Sequence, residues 1–334
     1  MKKRRIYSFA VVLSLLVSIL SLTGCGGSSG EIDTITLKAG FSTSSSDPRV
    51  IATQQFKEEV EKATNGRITV EIYSDGELGS DADLISGVIN GTVDITASSA
   101  GNFASYDPNV GISAFPFLFE NFDEAWSFVD GDIEDMAEEN LSDFNIHVLG
   151  HYDNGFRCVT TSSAAGPVNN VSDMEDLNIR TPENRIVMET MLLLGAQPKV
   201  LEFTLLYDAL KSGEFDAQEN PIPVIYNNKL YEVQSYLAIT NHSYDVMPFV
   251  IREDIWNKLS DSDKRILEAA ADNAENTDRD LIRQQTEDYI GKLREEGMTI
   301  TYPDLDDFSA ATSVIYNSFG DTYSKDLLDI IKNL

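Results

Sequence analysis

Polar and apolar residues alternate in "TITLKAGFS", which puts Ile35, Leu37 and Ala39 on one face of a predicted strand. Asp47 and Pro48 then supply a helix N-cap with proline at the first helical position, and Ala52, Phe56, Val60 and Ala63 make one stripe that stops at Asn65 and Gly66. The rhythm repeats. "RITVEIYS" alternates through Ile68, Val70 and Ile72; a second helix starts at Ser80, buries Leu84, Ile85, Val88 and Ile89, and stops at Asn90 and Gly91; "TVDITASS" is the next strand. This β-α-β-α-β order predicts a mostly parallel sheet covered by helices.

The second half has the same alternation. "DLNIRTP" reads as a strand, "ENRIVMETMLLLG" as a helix closed by Gly195, "PKVLEF" as a strand, "TLLYDALKSG" as a helix from Thr204 to Gly213, and "EFDAQENP" as a strand ending before Pro221. Two such units predict two α/β lobes with a cleft between them. From Ser260 to about Gly297 runs a charged amphipathic stretch too long for an ordinary globular helix, expected to bend or to lie across both lobes. The cluster "FPFLF", Phe115 to Phe119, reads as core or as the lining of a lobe face.

The N-terminus adds an address. "MKKRR" precedes 17 uncharged residues, Ile6 to Leu22, fewer than the roughly 20 of a spanning helix. Residues 1–24 read as a secretory signal whose "LTGC" ending looks like a bacterial lipobox, making Cys25 the lipidated first residue of the mature chain. Residues 25–32 are then a short flexible spacer, and the globular part is expected outside the cytoplasm, held to the membrane by the lipid. Only Cys158 remains, so no intrachain disulfide is expected, and beside Val159 it reads as a small core residue.

Removal of residues 1–24 leaves 21 Lys and Arg against 55 Asp and Glu, a net charge of −34. Such a surface repels phosphate backbones and excludes nucleic acid as a partner. Any anion site in this chain must be built from specific, inward-facing arginines.

In open α/β sheets, ligands bind beyond the carboxyl ends of strands. There the sequence places "STSSSD", "TASSAG", Arg180 at the end of "DLNIR" and Asn220 at the end of "AQEN"; Arg157, in "NGFR", stands where the first unit hands over to the second. An arginine fork matches a carboxylate with two parallel charge-assisted hydrogen bonds, and an asparagine can donate to one of its oxygens. Each residue also has a structural reading: Arg180 paired with Glu183, Arg157 anchoring backbone carbonyls, Arg185 solvated beside Glu189, Asn220 opening a turn before Pro221. No P-loop or G-x-G-x-x-G motif is present. His147 and His151 have the spacing of a zinc pair, but Gly150 breaks the helix such a pair needs and no glutamate follows the first histidine, so no metal and no cofactor are expected.

Taken in order, "FKEEVEKATNGRITVEIYSDGELGSD", "GTVDI", "FPFLF", "NGFR", "DLNIRTPEN", "LGAQP", "ALKSGEFDAQENP" and "YEVQSYLAITNH" resemble the solute-binding proteins of tripartite ATP-independent periplasmic (TRAP) transporters, of the dicarboxylate- and sugar-acid-binding type. The resemblance runs from about Leu37 almost to the C-terminus. It implies an α/β, type II periplasmic-binding-protein fold whose two lobes close on a small organic acid and share a long helix. Lobe I would comprise 33–155 and 245–285, and lobe II 156–244 and 286–334. It places the main carboxylate-binding arginine on Arg180, a second on Arg157 and the family asparagine on Asn220. The expected ligand set adds Ser46, Asp47 and Ser98 from the first lobe's loops, with Glu183, Phe203 and His242. A non-enzymatic monomer is implied, one that delivers its ligand to the small and large membrane subunits of a permease driven by an ion gradient.

The chain departs from the family pattern at Leu205, where an acidic residue is usual, at Asp47-Pro48 in place of His-Pro, and at Ala217 in place of glycine. "RTPEN" followed by "GAQP" leans toward sugar acids such as a uronate, aldonate or keto-gulonate, with C4-dicarboxylates next. Two other readings stay open: a ligand sensor for a receptor kinase, and a tethered extracellular hydrolase acting on acidic sugars.

Overall fold

Nine strands form one mixed sheet in the computed structural model of the chain, which describes residues 34–319 and 322–332. The expected signal segment, Cys25 and the spacer lie outside the described residues. The strands are β1 (Ile35–Gly40), β2 (Ile68–Tyr73), β3 (Ile95–Ala97), β4 (Ile146–Thr161), β5 (Asn178–Thr181), β6 (Gln197–Val200), β7 (Ala217–Pro221), β8 (Tyr236–Arg252) and β9 (Thr299–Thr301). Their order is β2-β1-β3-β8-β4-β7-β5-β6, with β9 on the free edge of β8. The antiparallel pair β4 and β8, 16 and 17 residues long, runs through both lobes. One end carries the parallel trio β3, β1 and β2, and the other carries β7, β5 and β6.

Local chemistry sets where the short elements begin. Asp47 caps α1 (Pro48–Ala63) by accepting from the Arg49 amide, and Ser80 and Asp83 form a capping box at α2 (Asp81–Asn90), which ends at Gly91 with φ 87°. Each such cap stabilises its helix by about 1 kcal/mol and fixes the loop that precedes it. Both loops lead from strand ends toward the cleft.

Asp261–Glu295 is one helix of 35 residues. Its Leu267, Ala270 and Ala274 pack with Phe56 and Phe249 of the first lobe, while Leu293 packs with Leu210 and Leu237 of the second, so it lies across both as expected. Phe115 and Phe119 are buried in the first lobe with Phe103, and Phe117 packs against the second-lobe core around Val159 and Ile179. Phe319, Tyr323, Leu327 and Leu328 join that first core, so the chain's last helix packs on the first lobe although 286–334 was expected with the second. The apolar stripe of Leu327, Leu328 and Ile331 finds its partners there.

Two boundaries differ from the sequence reading. β6 stops at Val200, a tight turn occupies Phe203–Leu205, and the helix starts at Leu206 rather than Thr204. β7 includes Pro221, which pairs with Arg157 at the strand end, where a missing N–H is tolerated.

Candidate functional site

A cavity of about 250 Å³ opens at the carboxyl ends of the parallel strands of both lobes. Ser42 after β1, Ser99 after β3 and Asp81 at the start of α2 line it from one lobe; Arg180, Glu202 and Asn220 line it from the other. Its floor is the β4/β8 pair. There Asn154 is an extra residue, since Asp153 pairs with Val246 and Gly155 with Asp245, and the bulge brings Asn154 with Arg157 and Asp245 to the cavity. Bulges re-aim side chains in this way near binding sites.

Arg180 and Arg157 are both buried, 2 % and 3 % exposed, and both line the cavity. Arg157 is fully engaged. It pairs with Glu219 and Asp245, donates to the Glu219 carbonyl at 2.9 Å and reaches the Asn220 side-chain oxygen at 3.3 Å. Burial would depress its pKa, but the two carboxylates hold it raised. Arg180 is different. Its Nε donates to the Leu201 carbonyl at 2.8 Å, its two terminal nitrogens have no hydrogen-bond partner among the described residues, and no carboxylate forms an ion pair with it there. Burial lowers its pKa to about 10, against a weaker upward pull from Glu219. Glu183 lines the same cavity without closing that pair.

The remaining expected residues divide. Asn220 and Phe203 line the cavity with the two arginines, and Asn220 donates to Gln218 at 2.6 Å. His242 is buried behind Glu219, 3.4 Å from its carboxylate, and bonds Thr240 at 2.8 Å. Asp47 is buried in an ion pair with Arg49 at 2.9 Å, and Ser98 donates to Asp81 at 3.0 Å; both support residues that line the cavity rather than lining it themselves. Ser46 is exposed and bonds only Ser44 at 3.0 Å.

Four charged cavity residues escaped the sequence reading: Arg49, Asp81, Glu202 and Asp245. Asp245 carried a legible signal, a lone acid inside the apolar run "SYDVMPFV". It accepts from Ser99 and, at 2.8 Å, from Asn154, so it ties the loop after β3 and the β4 bulge to Arg157. Below the floor, Asp153 accepts from Trp126 at 2.7 Å, and its backbone amide donates to Asp278 of the long helix at 2.6 Å. Burial pushes Asp153 up to about 7 and Asp278 well above the usual carboxylate range. Cys158 is buried and its thiol pushed up to about 11, which makes it an inert core residue.

The lobes touch beside the cavity. A Cβ on Gly101, in the short helix α3 (Ala100–Phe103), would run into the side-chain amide of Asn184, which caps the helix Arg185–Leu193. Among the described residues, no helix is long and apolar enough to cross a membrane, and no group of three His, Cys, Asp or Glu is placed to hold a metal ion.

The profile of the bacterial extracellular solute-binding proteins, family 7, matches residues 39–322. The chain is 32% identical over 291 residues to the 2,3-diketo-L-gulonate-binding periplasmic protein YiaO of Escherichia coli, covering 87% of this chain and 88% of that one. A TRAP periplasmic solute-binding protein from Polaromonas sp. JS666 bound to D-erythronate superposes with a TM-score of 0.86 at 30% identity, covering 90% of this chain and 98% of that one. The sugar acid-binding protein DctPAm from Advenella mimigardefordensis in complex with galactonate gives 0.87 at 27% identity, covering 91% and 98%.

Proposed function

The chain belongs to family 7 of the bacterial extracellular solute-binding proteins, the solute-binding components of TRAP transporters, and from that membership we propose that its cavity captures one small organic acid by the carboxylate. The observation that carries this is Arg180: a buried guanidinium facing a cavity, with both terminal nitrogens free of partners among the described residues. A charge-assisted hydrogen bond of this kind contributes about 1.5–3 kcal/mol net. A bidentate carboxylate would satisfy the fork that the protein leaves open. Asn220 and Asn154 line the same cavity and would hold the same end of the ligand.

The cavity is smaller than the roughly 300–1,000 Å³ of sites for drug-sized molecules, which suits a short acid. A sugar acid is the favoured class, because YiaO binds diketo-gulonate and the two superposed proteins hold erythronate and galactonate. Both lobes line the cavity, so a ligand that touches both binds the closed arrangement better and shifts the population toward it. The loaded form would be handed to the two membrane subunits of a permease, with no chemical change in the ligand. Cys25 would anchor the protein by its lipid, and the lobes would divide near 155, 245 and 285, with the last helix returning to the first.

The chain from residue 26 onward contains the whole compact unit, residues 32–334. Native mass spectrometry of that chain, challenged with uronates, aldonates, keto-acids and C4-dicarboxylates, should show one acid bound per protein and none in Arg180→Ala. An empty protein with an unmoved melting temperature across the whole panel contradicts the sugar-acid reading.

A further inference from the structure

The cavity is charged unevenly. Arg49 is neutralised by Asp47 and Arg157 by Glu219 and Asp245, which leaves Arg180 as the cavity guanidinium without a carboxylate partner among the described residues. Three acids line the same space without an ion-pair partner among those residues: Glu183, Asp81 and Glu202. Asp81, on the first lobe, accepts from Ser42 at 2.9 Å and from Ser98 at 3.0 Å, both through Oδ1, so Oδ2 has no donor there. Glu202, on the second lobe, stands one residue past the Leu201 carbonyl that holds Arg180.

Building on the reading of Arg180 as the carboxylate anchor, we propose that Glu202, acting with Asp81 across the cleft, is the residue that selects the far end of the ligand: it accepts hydrogen bonds from hydroxyls and turns away a second carboxylate. The preferred ligands are then polyhydroxylated monocarboxylates of the aldonate type, and aldarates with the same carbon chain are rejected.

The physical basis is a count of donors and acceptors. A carboxylate is acceptor-only, so two facing carboxylates require donors between them. A sugar hydroxyl supplies one and spans the two lobes. A ligand carboxylate at that end would bring a third negative charge against two, with no free cation to offset it, and like charges at close range in a partly dry site repel strongly. Glu202 already feels this field: burial first, and then Asp81, raise its pKa, with the Ser80 hydroxyl and then Arg180 pulling the other way. Discrimination by an unpaired like charge is a general route to specificity and costs the correct ligand little.

Matched pairs that differ only at the far carbon test the idea: galactonate against galactarate, and erythronate against meso-tartrate, titrated calorimetrically into the chain from residue 26. At least one aldonate should bind 100-fold or more tightly than its diacid partner. Glu202→Gln should narrow that ratio at least tenfold, chiefly by strengthening the diacid. Arg180→Ala should weaken every acid alike and keep the ratio unresolvable. Equal binding of aldonate and diacid by the unaltered protein overturns the inference, as does a ratio that Glu202→Gln leaves unmoved while Arg180→Ala still abolishes binding. If Arg180→Ala binds either acid normally, the carboxylate-anchor reading itself fails and the inference falls with it; if no acid of the two pairs binds the unaltered protein, the aldonate preference is overturned while the anchor reading stands.

Discussion

Arg157 and Arg180 line one cavity at nearly equal burial, yet the protein treats them in opposite ways. Arg157 is held between Glu219 and Asp245 and so joins β4, β7 and β8. Arg180 is given one backbone carbonyl and no counter-ion among the described residues. The contrast teaches how a chain with 55 acidic residues can still bind an anion: one arginine is spent on architecture, which frees the architecture to hold another unspent. Burying a charge without a partner costs stability, and the ligand is what offsets it.

Arg157→Ala should cause the largest loss. It leaves Glu219 and Asp245 buried without their cation, a change that costs about 3–5 kcal/mol, and a melting point lower by on the order of 10 °C would show it. Arg180→Ala should do the reverse. Thermal melting without ligand should stay level or rise, because an unpaired buried charge has gone, while calorimetric affinity for the acid falls by about 2–5 kcal/mol, or roughly 30-fold to several thousandfold. Equal melting losses in the two variants would erase the contrast.

Asp153 shows a third way to handle a buried charge, which is to take up a proton. Its folded pKa of about 7 stands above the ordinary 3.8, so the folded state binds the proton more tightly than the unfolded chain does. Stability from this group is therefore greatest at low pH and is lost as pH rises from about 4 through 7. His147 and His242, both depressed by burial, push the opposite way as pH falls, and they do so in any variant that keeps them. The informative quantity is the difference: wild type minus Asp153→Asn should fall by about 2 kcal/mol between pH 5 and pH 8 in urea titrations. A flat difference would mean that Asp153 stays ionised in the fold.

A smaller effect is expected at the seam. Gly101→Ala forces the Asn184 side chain away from its capping position, so closure and affinity should weaken by about tenfold, near 1.4 kcal/mol, and melting should fall by a few degrees because the displaced cap is worth about 1 kcal/mol. Ser46→Ala should be the quietest of all, within about 0.5 kcal/mol in stability, because the residue is exposed and, among the described residues, its hydroxyl bonds only Ser44.

Much of the fold was legible because half-covered strands and capped helices leave periodic traces. Asp47, Ser80, Gly91 and Gly195 marked element ends through chemistry that acts within a few residues. The two longest strands were not legible. β8 is buried almost throughout from His242 to Ile251, so period-two alternation disappears, and β4 is interrupted by three register shifts. The site followed the same rule. Arg180 and Asn220 were readable as polar residues at strand ends, and Phe203 fell near one. Glu202 was not, because the turn that aims it depends on where β6 stops. The pairing of Arg157 with Asp245 joins residues far apart in the chain, and no local pattern announces it. The assignment of the last helix to the first lobe is hidden for the same reason, since its apolar stripe states only that it packs somewhere.

The most direct test of the central claim is calorimetric titration of the acid identified by mass spectrometry into Arg180→Lys. Lysine keeps the charge and removes the planar fork, so it separates a bidentate partner from a mere positive potential. The account predicts that most of the affinity is lost while the folded protein remains as stable as the parent. Affinity within twofold of the parent would contradict it, and would mean that the ligand is held by the cavity's other groups.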